Sequence, residues 1–308
     1  MSESQPTAGR EGASATAASP STNGRRPAVA DAFGGERHVH EPHKVGIPPL
    51  VPYARTLWRR RDFAYELSRT DLRAQHFNTA FGQLWLVLNP LLLAMVYFLL
   101  VDILRNGSRG TPFFAHLIAG LFTFYFVQQS INHGAKSVVS GGRLILNTAF
   151  PRLLLPFSSV LTAFLRFVPT LVVYAIVHVA AGLPIGWSLL WALPILALFV
   201  ILAAGLASFV AAAQVYFRDL RSFLPYLLRM WLYISPVLYY AHEVPGRYSL
   251  LLDVNPLAPL LTAWSDALTQ GKHPSAHLLI VGGAWAVGLF VAGSLFFMSR
   301  EREFAVRL

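Results

Sequence analysis

Ser140-Gly141-Gly142-Arg143-Leu144-Ile145-Leu146-Asn147-Thr148-Ala149-Phe150-Pro151-Arg152 lies between two long apolar stretches. Its Arg and Asn groups, and the breaks at Gly-Gly and Pro, need water or a protein partner, so it cannot sit in lipid. A second polar turn, Gln214-Val215-Tyr216-Phe217-Arg218-Asp219-Leu220-Arg221, follows two apolar stretches later. A pair of membrane crossings returns a chain to the side it left. Both turns therefore face one compartment, where a soluble partner can push on them.

The composition supports a membrane solvent. Of 308 residues, 55% are hydrophobic and 13% charged, against about a quarter charged in soluble domains. The apolar residues fall in blocks near the ~20 residues that cross a bilayer. The sequence predicts an all-α polytopic protein with six spans, over 84–104, 113–133, 154–181, 188–213, 222–241 and 277–299. Pro90, Pro169, Pro194, Pro225 and Pro236 fall inside these spans, where neighbouring helices can satisfy the freed carbonyls. There is no cysteine, which excludes disulfides and thiolate metal sites. The net charge of +10 is first a topology signal. The basic residues form no aromatic-interleaved patch, so no nucleic-acid partner is expected.

Residues 1–50 are rich in Ser, Ala, Gly, Pro and Thr and read as a disordered cytoplasmic leader. No apolar signal-peptide core precedes residue 84. Residues 51–83 form the next unit. Trp58, Tyr65 and Leu72 recur at seven-residue spacing with Ala54 and Leu57 on the same arc, while Arg55, Arg59, Asp62, Glu66 and Arg73 share the opposite one. Phe63 and Leu67 break the pattern. An amphipathic helix carrying Trp58, Arg59, Arg60 and Tyr65 suits a membrane surface, and an ordinary connecting helix is the other reading. Residues 84–299 are the transmembrane domain and 300–308 a tail. Fourteen Lys and Arg lie on the side of the two polar turns and four on the other, so both termini are expected in the cytoplasm. The connection over 242–276 is too apolar for a free loop and too rich in proline for a span. Two short gate helices dipping into the outer leaflet fit it.

The landmarks together resemble the membrane subunit of ABC-2-type polysaccharide exporters, the Wzm/TagG-like family that moves O-antigen, teichoic acid or galactan chains. They are Gly82-Gln83-Leu84-Trp85, Asn89-Pro90, Asn147 with Phe150-Pro151, Phe217-Arg218-Asp219-Leu220, Ser235-Pro236-Val237-Leu238-Tyr239 and Asn255-Pro256-Leu257. The likeness runs from about residue 53 to the end. The Ala- and Arg-rich composition and long polar leader look actinobacterial, which extends it to a lipid-linked cell-wall galactan. The resemblance implies a multi-pass permease of the bacterial inner membrane, acting as a homodimer. It implies two nucleotide-binding subunits that carry ATP and Mg, with no cofactor, metal or catalytic residue on this chain. The sequence has no G-x-x-x-x-G-K-[ST] phosphate loop.

On that reading the first turn seats a coupling helix in the ATPase subunit, through Gly141, Arg143, Asn147, Phe150, Pro151 and Arg152. The alternative is that these are solvated loop residues. Arg218 and Asp219 are adjacent, about 100° apart on a helix, and pair poorly with each other. They either brace a gate region or meet the substrate. Arg166 and Arg229 lie at bilayer depth, where a charge needs a partner or a watery cavity. Each fits a phosphate oxygen of a lipid-linked substrate, or snorkels or pairs internally. Trp85, Tyr97, Phe122, Tyr125, Tyr233 and Tyr239 are candidates to line a glycan channel, since sugars lay their C–H faces on aromatic rings. Membrane packing is the other reading for each. His242-Glu243 lacks the second His of a zinc motif. His116, His133 and His178 are scattered, and Asp102, Asp253 and Asp266 share no pocket that the sequence identifies. Two alternatives to glycan export remain: an ABC-2 exporter of drugs or lipids, and a membrane-embedded polyprenyl-phosphate transferase.

Overall fold

A computed structural model describes residues 48–75, 84–104 and 110–307, all within one unit, Gly46–Leu308. The leader up to residue 47, the stretch 76–83 with Gly82 and Gln83, and the loop holding Arg105 and Arg109 lie outside the described residues. Among those described there are only helices and turns. In chain order they are α1 (Leu50–Arg59), α2 (Arg61–Gln75), α3 (Trp85–Leu104), α4 (Thr111–Ser140), α5 (Gly142–Asn147) and α6 (Leu154–Ala180). Then follow α7 (Ala192–Tyr216), α8 (Leu220–Ile234), α9 (Ser249–Val254), α10 (Ala258–Leu268), α11 (Ala276–Arg300) and α12 (Phe304–Arg307).

Five helical stretches are long and apolar enough to cross a membrane, those built on α3, α4, α6, α7 and α11. The expected fifth span, 222–241, is shorter than its apolar run. Ser235 takes the extended conformation that a following proline favours (φ −86°, ψ 147°), so α8 stops at Ile234. Its 15 residues reach only about 22 Å. α8 nonetheless runs from one end of the bundle to the other. α8 starts beside the end of α7, where Gln214 donates from Nε2 to the Arg218 carbonyl (2.9 Å). It finishes at the opposite end of the bundle, where Trp231 Nε1 donates to Asn255 Oδ1 (2.7 Å) and Asn255 Nδ2 donates to Ser235 Oγ (3.0 Å). Pro194 also proves less costly than a mid-span proline, because it sits in the first turn of α7, where backbone N–H groups have no helical acceptor.

Small residues set how closely the central helices approach. α7 turns Ala203, Ala204, Ala207, Ala211 and Ala212 inward. It meets α11 backbone to backbone: a Cβ on Gly293 would stand 2.1 Å from the Gly205 carbonyl oxygen. A Cβ on Gly134 of α4 would stand 2.7 Å from that of Ala207. Apolar burial drives helix association little in lipid, and close backbone approach of this kind takes its place. At the end of α6, Gly182 adopts φ 62°, and the chain reverses with Gly182 N–H on the Val179 carbonyl and Leu183 N–H on that of His178, the usual use of glycine past a helix end.

The single amphipathic helix expected over 53–73 is two helices, broken at Arg60 (φ −100°, ψ 19°). The break resets the helical phase, so the Trp58–Tyr65–Leu72 register does not define one face. Phe63, Ala64, Leu67 and Ser68, two of which looked like interruptions, turn toward the bundle. Ser68 accepts from the Thr162 hydroxyl of α6 (2.9 Å). Trp58 and Tyr65 stay 68% and 49% exposed, with the Arg61 guanidinium 4.9 Å over the Trp58 ring. Aromatic rings beside arginines suit the headgroup zone. In the 242–276 connection two short helices do form, α9 and α10, and they differ. α9 is largely exposed, whereas α10 is buried along most of its length and tied to α4 by Trp264 Nε1 donating to the Ala119 carbonyl (3.3 Å).

Candidate functional site

The first polar turn leaves α4 at Gly141, forms one turn and a half of α5, and re-enters at Leu154. Ile145 points in, while Arg143, Leu146, Asn147, Thr148 and Ala149 face out. Leu146 is 63% exposed. The other half of the turn is held from within the chain. The Phe150 ring packs on Phe63 of α2 with centroids 5.2 Å apart, and Pro151 is buried. Arg60 donates to the Ala149 carbonyl (2.6 Å), and Arg152 donates to the Glu301 carbonyl beyond α11. The Tyr53 hydroxyl donates to Glu301 Oε2 (2.7 Å) and accepts from Leu153 N–H (3.4 Å). Burial, then the adjoining Glu301 carboxylate, raise the Tyr53 phenol above its ordinary pKa, which keeps it a neutral donor. Between α1, the turn and Glu301 lies a cleft of about 380 Å³, walled by Pro49, Pro52, Thr56 and Pro151.

The second turn sits at the same end. Tyr216 closes α7 and donates to Glu303 Oε2 (2.7 Å), with the guanidinium groups of Arg300 and Arg307 over its ring at 5.6 and 4.3 Å. Phe217 is 70% exposed. Arg218, Asp219 and Arg221 are exposed too, and among the described residues Arg218 and Asp219 form no ion pair. Two glutamates, Glu301 and Glu303, thus hold the two turns to the chain's end.

Within the spans, most residues suspected of lining a path fall into two groups that adjoin at Tyr125. Trp85, Phe122, Tyr125 and Arg166 share one cavity of about 350 Å³ between α3, α4 and α6, together with Asn89 and Gln129. Arg166 donates to Nε2 of His133 (3.3 Å), and the Asp71 carboxylate of α2 acts on it electrostatically. Tyr97 and Tyr233 meet elsewhere, across α3 and α8, with hydroxyls 3.4 Å apart and rings at 88°. Arg229 lies close enough for its charge to act on Tyr97 and Tyr125. Tyr239 belongs to neither group: its hydroxyl donates to the Ile234 carbonyl (2.6 Å) and closes the end of α8. Glu243 takes a capping role, accepting the Tyr240 N–H (3.4 Å).

The sequence reading gave Asn89 only as a family landmark, and missed Gln129 and Leu146. The two amides carried a signal, Asn89 as the lone amide of its apolar span and Gln129 as part of the Gln128-Gln129 pair in the next. Leu146 carried none, because only the fold shows which of Leu144, Ile145 and Leu146 faces out.

The model of the family described as ABC-2 type transporter matches residues 65–268. Two relatives are named O-antigen export system permease protein RfbA. One, from Myxococcus xanthus, is 29% identical over 259 residues, 83% of this chain and 99% of its own length. The other, from Klebsiella pneumoniae, is 28% identical over 221 residues, 71% of this chain and 85% of its own. A match that takes in both polar turns, the aromatic cavity and α10, on a bundle with several bilayer-length apolar helices, makes this chain a multi-pass membrane protein that belongs to the ABC-2 type transporter family.

Proposed function

We propose that the chain is the permease of an ATP-driven exporter that moves a lipid-linked polysaccharide out of the cytoplasm. The observation that carries this is the placement of two exposed polar turns, built by α5 and by Phe217–Arg221, at one end of an ABC-2 bundle. Such turns offer a docking surface for a nucleotide-binding subunit, and the sequence holds no phosphate loop of its own. The names of the relatives supply the cargo class. The aromatic cavity around Arg166 agrees with it, since rings accept sugar C–H faces and a guanidinium accepts phosphate. Six passes are half of a transporter, and two copies would enclose a glycan-wide path. The Lys and Arg excess on the turn side supports a cytoplasmic location for that side, and for both termini, in a bacterial inner membrane. A galactan is the cargo that the composition favours.

Of the docking candidates, Phe150 and Arg152 are engaged within the chain, which favours Arg143, Leu146 and Asn147 as the surface the partner meets, along with Phe217 and Arg218 of the second turn. Movement of α5 would pull α2 through Phe150–Phe63 and α11 through Arg152–Glu301.

The test is co-purification of the tagged chain in mild detergent. The expected result is a stoichiometric P-loop ATPase, two copies of each subunit, and loss of that partner in Leu146→Asp. A stable chain that never retains an ATPase would overturn the proposal.

A further inference from the structure

At the end of the bundle remote from the two polar turns, a cavity of about 340 Å³ opens between α4, α10 and the segment that follows α8. Its floor is closed by a polar chain. His116 Nδ1 and Ser265 Oγ are 2.6 Å apart, and Ser265 Oγ is 3.2 Å from the Thr269 hydroxyl. Above this floor α10 and the following loop present Thr262, Asp266, Gln270 and Lys272, and the opposite wall presents Tyr240 and His242. The Tyr240 ring stacks on His242 at 5.2 Å and 17°, and also packs on His116 at 4.3 Å and Phe113 at 5.6 Å. Lys272 Nζ donates to Gln270 Oε1 (2.9 Å), and Lys272 N–H to the Asp266 carbonyl (3.0 Å). Burial, opposed by the nearby Lys272 ammonium, raises the Asp266 carboxyl above the usual carboxylate range.

This set of groups selects its ligand class. A carboxylate, an amide, a hydroxyl and an ammonium within one small cavity provide acceptors and donors in several directions. The Asp266 and Lys272 charges oppose each other, so the site favours neither a bare cation nor a diphosphate. A stacked aromatic pair adds a flat apolar face. A ring that carries hydroxyls on its edge and C–H groups on its face meets all of these at once. The volume is at the lower end of small-molecule sites, about 300–1,000 Å³, and suits one or two such rings.

We propose that this cavity is a saccharide-binding subsite for the exported glycan at the far end of its path. The inference rests on the polysaccharide reading of the function. The two walls belong to different elements. α10 is buried and bonded to α4, while the Tyr240–His242 wall continues from α8, whose own buried residues are Leu224, Leu228 and Leu232. A bound sugar ring would bridge the two.

The test is saturation-transfer NMR on the full chain in lipid nanodiscs. The probes are methyl glycosides of glucose, galactose, mannose, rhamnose and N-acetylglucosamine, with myo-inositol as a control polyol. The expected result is transfer to at least one glycoside over inositol, weakened about tenfold in Asp266→Asn and in Gln270→Ala. Each variant's melting temperature is measured alongside. Thr262→Val replaces either variant that does not fold. Absence of transfer to every glycoside, or transfer unchanged in two folded variants, overturns the subsite. Depletion of the chain in cells separates this from the function itself. If surface polysaccharide is unchanged on depletion, the exporter reading falls. If it is lost on depletion but fully restored by the Asp266→Asn/Gln270→Ala double variant, only the subsite falls.

Discussion

Tyr53 and Glu301, 248 residues apart in the chain, meet through a 2.7 Å hydrogen bond from phenol to carboxylate. The same phenol accepts the Leu153 N–H, so one side chain joins α1, the start of α6 and the end of α11. Tyr53→Phe removes a bond to a charged group, worth about 1.5–3 kcal/mol. The expected outcome is a melting temperature a few degrees lower in detergent, with ATPase activity of the complex less dependent on glycan. Because burial and Glu301 raise the phenol pKa, the phenol stays a donor up to about pH 10, the unperturbed value, and its contribution declines as the pH rises beyond that. At the acid end burial raises the Glu301 carboxyl, and its protonation removes the charged acceptor. The difference between wild-type and variant melts should therefore be full at pH 8 and shrink as the pH falls through the Glu301 titration.

Leu146 and Phe150 should separate docking from folding. Leu146→Asp changes a side chain that touches solvent, so the melting temperature should hold while the ATPase subunit is lost on purification. Phe150→Ala opens a gap beside Phe63. Full burial of a phenylalanine is worth about 3–5 kcal/mol, and a half-buried ring should cost about half of that. It should lower the melting temperature first and partner retention second. The opposite pattern would return Phe150 to the docking surface.

The backbone contact between α7 and α11 makes a sharp steric prediction. Gly293→Ala places a methyl group 2.1 Å from the Gly205 carbonyl, and neither backbone can give way cheaply. Loss of folded protein from the membrane fraction is expected. Gly283→Ala, on the same helix with nothing within 4 Å of its Cβ, should express as wild type. Fluorescence-detected size exclusion reads both.

Arg166 and Trp85 share one cavity, so their variants should fail together. Trp85→Ala and Arg166→Ala are each expected to lower glycan at the cell surface by about tenfold, and Arg166→Lys to recover part of it, since lysine keeps the charge without the two-pronged geometry. Partner retention should be unchanged in all three. Tyr239→Phe, which loses only its bond to Ile234, should behave as a mild stability variant.

The helices could be read in the sequence where lipid is their solvent. α3, α6 and α11 run within a few residues of the apolar blocks that predict them. The reading weakened where protein replaces lipid. α4 continues to Ser140, past the apolar block, because Gly134, Ala135 and Ser137 are buried against neighbours, and average polarity does not reveal that. Phe63 and Leu67 looked like errors in an amphipathic pattern because the phase break at Arg60 depends on tertiary packing. The cavity could be read in part. Aromatic residues and an arginine at bilayer depth are conspicuous, but only the fold separates Trp85 and Phe122 from Tyr239. His116 and Asp266, 150 positions apart, gave no sign of sharing a pocket.

The Gly205–Gly293 contact divides the molecule mechanically. Helices that touch through their backbones cannot slide past each other without unlocking, so α7 and α11, with α4 seated against α7 at Ala207, form one block. α3 has few fully buried side chains and α8 buries Leu224, Leu228 and Leu232. A pull on Arg152–Glu301 would therefore be shared by the whole block rather than taken up by α11 alone.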